Sequence, residues 1–303
     1  MSWLIITVLA YFFLAAASLF DRYFLAGPIP NPKVYTFNIA VLGFFVCLFI
    51  IPFGINLPII SLLILGLGTG LVRVLAILFL AKSIAKGEIS RVVPAIGGLL
   101  PIFTFLLFYF FQPKSQGEIF DFSQIAAFIL LILGSVLFSL KKNYADFFNF
   151  KNLKYIIIAS FLWALTFFFS KTLFLKTNFL SGIFLILFGG GLGAIGFLLF
   201  PQSRKDIFCQ KVTHKIPLLF LFGQTLAGLG VAFQYYAVFI AKSSQVPLIN
   251  ALEGTRYVFL LFFVFLLSLW KPYLLKEEMK GAVLFQKILA ILLIGAGLAL
   301  VAL

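Results

Sequence analysis

The sequence predicts an all-α integral membrane protein: ten transmembrane helices arranged as two inverted five-helix repeats. Three observations carry that prediction. The 303-residue chain is 63% hydrophobic and only 11% charged, with 42 Phe and a mean hydropathy of +1.17. A water-facing domain carries charge on roughly a quarter of its residues, so the surplus apolar surface must face a bilayer. Ten apolar runs then approach or exceed the ~20 residues that a helix needs to cross one. Finally, the second half of the chain repeats features of the first in the same order.

The first run, 3–20, follows no basic segment and precedes no small-residue cleavage pattern, so it is expected to stay in the mature chain. It ends at Asp21 and Arg22, a pair expected at the membrane interface. The second, 34–53, contains Cys47. The third, 58–81, carries GLGTG and Arg73. The fourth, 92–111, carries Pro101, and the fifth, 122–140, closes in LLILGSVLFSL. The sixth, 154–176, contains LWALTFFFSK with Trp163 and Lys171. The seventh, 180–200, contains GGGLGAIG, and the eighth, 216–241, contains GLG and Gln224, Gln234, Tyr235 and Tyr236. The ninth, 245–270, bears Asn250, Glu253 and Arg256, and the tenth, 285–303, ends in LLIGAGLALVAL. The longest connections, 141–153 and 201–215, are too short for a folded soluble domain. Cys47 and Cys209 offer neither a disulfide framework nor metal-ligand spacing, and His214 reads as a solvated loop residue. No cofactor or metal is expected.

The repeat is plainest at I-A-K, found at 84–86 and 240–242. At the same offset Ala95 matches Ala251, Gly98 matches Gly254 and Phe103 matches Phe259; near the starts of the halves, Ser18 falls opposite Ser170. The halves are 1–141 and 152–303. Five spans per half is an odd number, so the second half enters from the opposite side. Inverted repeats are a recurring architecture of secondary transporters, with the substrate site near the midplane between halves. Charge follows the same logic. Loop 3–4 has Lys82, Lys86 and Arg91, against Lys242 alone in loop 8–9. Summed over loops, 17 basic residues fall on one side and four on the other. The positive-inside bias places the 17 in the cytoplasm and both termini outside, in a multi-pass protein of the cell membrane. The formal charge of +14 is thus spent on orientation, with no basic run suited to nucleic acid.

AKGEISRVVPAIGGLLPIFTFLLFYFF at 85–111 resembles the EamA type of the drug/metabolite transporter superfamily. GEIFDFSQIAAFILLILGSVL at 117–137, KEEMKGAVLFQKILAILLIGAGLAL at 276–300 and LWALTFFFSK at 162–171 are similar to further segments of that family. The resemblance covers nearly the whole chain and implies ten spans in five-plus-five inverted order and metabolite transport in the direction of export. It departs in one respect: many bacterial members keep both termini in the cytoplasm, the reverse of the charge count here.

Ionisable groups within a span are costly and mark function by default. Arg73, Lys171, Glu253 and Arg256 are the candidates, summing to +2, a field suited to an anionic or zwitterionic solute such as an amino acid. Asn250, Gln224, Gln234, Tyr235 and Tyr236 could complete the site, and Trp163 could form an aromatic wall. Glu253 and Arg256 could instead only neutralise each other, and Lys171 could snorkel to the interface. Pro101 is a candidate hinge or a static kink. The glycine pairs Gly66/Gly70 and Gly189/Gly193 have the spacing of close helix contacts. Together these features favour a secondary transporter of a small metabolite, not an enzyme, with one chain sufficient and a dimer possible. The alternative is a membrane enzyme or flippase acting on a lipid-linked substrate.

Overall fold

The computed structural model describes residues 2–86, 89–111, 122–139, 150–209, 216–270 and 282–302, and all regular structure among them is helical. The helices are α1 (Ser2–Ala26), α2 (Pro32–Ile50), α3 (Ile60–Lys86), α4 (Ile89–Phe111), α5 (Phe122–Ser139) and α6 (Phe150–Phe174). They continue with α7 (Phe179–Leu198), α8 (Pro201–Phe208), α9 (Ile216–Ile240), α10 (Val246–Ala251), α11 (Gly254–Trp270) and α12 (Ala282–Ala302). Among the described residues, nine segments are long and apolar enough to cross a membrane. The sequence's fifth run is also helical, but its apolar stretch, Phe122–Leu137, is shorter. Loop residues Lys114, Lys271, Lys276, Lys280 and His214 lie outside the described residues.

Helix starts follow local chemistry. Asn31 caps α2 by accepting from the Lys33 amide at 3.0 Å, with Pro32 at the first helical position. Asn178 caps α7 through the Ser181 amide at 2.7 Å. Gly54, with φ of 82°, ends the short 3-10 turn that follows α2. Within the helices, hydroxyls are satisfied by the preceding turn. Thr7 donates to the Trp3 carbonyl at 2.6 Å, Thr69 to Leu65 at 2.7 Å and Ser160 to Ile156 at 2.8 Å. No water is available in a bilayer core to do this work.

Packing falls into a few dominant pairs. α1 lies along α9, α3 along both α6 and α7, α2 along α7, and α5 along α12. The α3–α7 seam is a backbone contact: a Cβ on Gly70 would lie 2.7 Å from the Gly189 carbonyl carbon. By contrast α2 and α9 scarcely touch, and a cavity lies between them. The outer faces are apolar, with Phe49, Phe53 and Leu199 largely exposed.

Two features depart from the expected layout. The connection after α7 contains a short helix, α8, started by Pro201 and tied to the α1–α2 turn by an Asn31–Asp206 hydrogen bond of 3.1 Å. The ninth span is not one helix. It breaks between α10 and α11, where the amides of Glu253, Thr255 and Arg256 bond three residues back, to Asn250, Leu252 and Glu253. Such a tightened turn inside a span re-aims the side chains that follow it.

A candidate solute-binding cavity

A cavity of about 660 Å³ is enclosed by α1, α2, α3, α4, α6, α7, α9 and the α10–α11 break. Its polar groups lie in rungs between α1 and α9. At one level Gln234 Nε2 donates to Tyr11 Oη at 3.2 Å, and that hydroxyl donates to the Ile249 carbonyl at 2.9 Å. At another, Tyr35 donates to Asp21 Oδ1, and Gln224 Nε2 reaches both the same oxygen and Tyr35 Oη at 3.4 Å. Residues 11 and 21 on α1 face 234 and 224 on α9, so the two helices run antiparallel. At 1.5 Å per residue the rungs are about 15 Å apart.

Between them sits the charge cluster that the break in span nine presents. Arg256 Nη1 donates to Glu253 Oε1 at 3.1 Å, while Nε and Nη2 donate to Ser18 Oγ at 3.1 and 2.7 Å. Ser18 passes its own proton to the Leu14 carbonyl at 2.6 Å. Glu253 is thus both locked to Arg256 and part of the cavity wall. Arg73, which also lines the cavity, is only 7% exposed, and its buried Nε has no hydrogen-bond partner among the described residues. A guanidinium is always charged and has five donors to place. Lining a cavity with that donor unmatched among the described residues, it could offer a charge-assisted hydrogen bond to an acceptor.

Six of the sequence candidates line this cavity: Arg73, Glu253, Arg256, Gln224, Gln234 and Trp163. The other four do not. Lys171 neither snorkels nor joins the site; it is buried and donates to the carbonyls of Val238, Phe239 and Ala241, capping the C-terminal end of α9. Asn250 bolts α10 to α4 by donating to Thr104 Oγ1 at 2.9 Å. Tyr235 is buried between Phe167 and Phe174, and Tyr236 lies 40% exposed against Phe179. Pro101 lies inside α4, which continues through it. In their place the cavity adds Tyr11, Ser18, Asp21 and Tyr35. With Lys171 out and Asp21 in, the expected +2 becomes a balanced set of two guanidiniums and two carboxylates. A signal for Asp21 was available, since YFLA follows Asp21 and Arg22 and extends the helix past them.

This geometry makes Lys171→Met a test of scaffold against site. The variant is expected to lose about 1–3 kcal/mol of stability, because α9 carbonyls lose their donor, while any ligand-induced stabilisation persists. Loss of the ligand response at unchanged melting temperature would contradict the assignment.

No family model matches the chain, and no curated protein matches it. It is similar to a solved structure described only as "Crystal structure of protein", with a TM-score of 0.64 and 16% identity, covering 99% of this chain and 94% of that one. A likeness at that identity establishes a shared fold, one that extends over the whole helical bundle.

Proposed function

We propose that the chain is a secondary transporter of a small anionic or zwitterionic metabolite, an exporter of the EamA type, working by alternating access between inverted five-helix repeats. The observation that carries this reading is the balanced charge set around buried Arg73, whose Nε has no hydrogen-bond partner among the described residues, enclosed by helices from both halves. A discontinuous span at such a place is a recurring device of transporters, because a break aims polar groups at a solute within the bilayer.

The packing supports the inverted repeat. A pseudo-twofold that exchanges the halves pairs α1 with α6, α2 with α7, α3 with α9, α4 with α10–α11 and α5 with α12. It carries the α1–α9 contact onto α3–α6, and both are extensive. It maps α2–α7 and α5–α12 onto themselves, and both of those pairs pack. It also carries α3–α7 onto α2–α9, where the symmetry fails: the first is sealed at Gly70 and the second stands open. Two equivalent seams, one shut and one parted, are what a rocking bundle presents at one end of its cycle. The charge bias puts both termini outside the cell membrane on this reading. One chain holds a complete path.

The test is a thermal-shift screen of the purified protein against metabolites pooled by charge. A solute that binds the folded state raises its stability in proportion to saturation. Stabilisation by carboxylate-bearing solutes, lost in Arg73→Gln, is the expected result. Equal shifts in wild type and Arg73→Gln would refute it.

A further inference from the structure

The way into the cavity says what kind of solute it takes. Toward the α1 C-terminus the cavity is closed by a buried apolar cluster that includes Phe24, Leu25, Ile29, Val34 and Phe220. Toward α2 and α9 it has no such cover. Phe45, Phe49 and Leu229 line the cavity yet are 52%, 75% and 43% exposed on the outside of the bundle. A Cβ added at Gly228, which lines the same side, would meet nothing within 4 Å. Phe45, Gly228 and Leu229 lie well inside their apolar spans, Pro32–Phe53 and Pro217–Ile240, and Phe49 lies four residues from the end of the first, so the window faces acyl chains. A small water-soluble ion would have to cross hydrocarbon to use it, at a cost of several kcal/mol. The cavity is also larger than a small metabolite requires: about 660 Å³ suits a drug-sized ligand.

We propose that the cavity binds an amphiphile, its anionic head group held by the Arg73 guanidinium and its single apolar chain leaving through the α2–α9 window into the bilayer. This rests on the reading of Arg73 as a solute-binding group and narrows the substrate to a lipid-like anion. Head and chain divide the lining between them. Arg73 supplies the uncommitted donors, and the aromatic and leucine side chains at the window replace the lipid that the chain leaves behind.

Native mass spectrometry of the protein in an uncharged maltoside detergent tests this with three probes: oleoyl lysophosphatidic acid, glycerol 3-phosphate (head alone) and monooleoylglycerol (chain with an uncharged head). Wild type is expected to bind one lysophosphatidic acid, at least about tenfold more tightly than either other probe. Arg73→Gln should weaken that binding about tenfold and Arg73→Lys much less, because a charge-assisted bond is at stake. Gly228→Phe, whose Cβ would meet nothing within 4 Å and whose ring would obstruct the window, should weaken it by a similar factor. Gel filtration and circular dichroism confirm that the variants are folded. If glycerol 3-phosphate binds as tightly as lysophosphatidic acid and Gly228→Phe changes nothing, the amphiphile is refuted while the Arg73 transport site stands. Monooleoylglycerol binding equal to lysophosphatidic acid would reduce the cavity to a grease slot and refute the head-group assignment. Unchanged binding of every probe in Arg73→Gln would overturn both this inference and the site it rests on.

Discussion

Replacing Arg256 with methionine is expected to destabilise the protein by about 3–5 kcal/mol, whereas the same substitution at Arg73 should cost little or raise the melting temperature. The two arginines differ in what they hold, although both line one cavity. Arg256 is the cation against which Glu253 was buried, and it holds Ser18 of α1 with two further hydrogen bonds. Removing one member of a buried pair leaves the other uncompensated, which is where the large penalty arises. Among the described residues Arg73 Nε has no hydrogen-bond partner to lose, and its charge is held in place against its own desolvation. Replacing both members of the pair, Glu253→Gln with Arg256→Met, should recover part of the loss. Thermal unfolding of the four proteins in one detergent decides the matter. Equal losses for Arg73→Met and Arg256→Met would erase the distinction between binding group and scaffold.

The second large effect belongs to the α3–α7 seam. Gly70→Leu is expected to cost at least about 3 kcal/mol and to depress the yield of monodisperse protein, because the new side chain points into the backbone of α7 at Gly189 and Gly190. Backbone cannot step aside as a rotamer can. Gly68→Leu is the matched control, two residues away on the same helix, where an added Cβ meets nothing within 4 Å. It should be neutral, or stabilising by about 0.5–1 kcal/mol through helix propensity alone. A similar cost at both positions would mean that glycine is needed for something other than close approach.

What the sequence disclosed and what it hid divide along a physical line. Apolar runs are set by the bilayer, a uniform solvent, so length and composition located the nine candidate spans among the described residues without tertiary knowledge. Buried charge is equally legible, since Arg73, Glu253 and Arg256 stand out against their neighbours and all three reach the cavity. Partner choice is not. Lys171 looked like the other cations, yet its ammonium serves the carbonyls of a helix some 70 residues away, which no local pattern announces. The charge at Asp21 ends the apolar run in the sequence, yet the helix continues past it to Ala26 and Asp21 meets Tyr35 and Gln224, partners that no local pattern names. The break in span nine had weak signals, Pro247 before it and Gly254 after it, but hydropathy averages across such a turn without registering it.

The ladder between α1 and α9 has a consequence for how the chain is made. Tyr11 awaits Gln234, Asp21 awaits Gln224 and Ser18 awaits Arg256, partners that lie more than 200 residues downstream. During synthesis the first helix therefore enters the membrane with a carboxylate and a row of hydroxyls that its eventual neighbours do not yet cover. The segments that relieve it, Pro217–Ile240 and Ser243–Phe263, have the lowest hydropathy of the spanning segments described, 1.4 and 1.3, and are themselves the least inclined to partition into lipid alone. Each side of the ladder thus makes the other tolerable in hydrocarbon. A chain interrupted before residue 216 carries an exposed polar stripe, the kind of defect by which a cell's quality control can tell an unfinished membrane protein from a finished one.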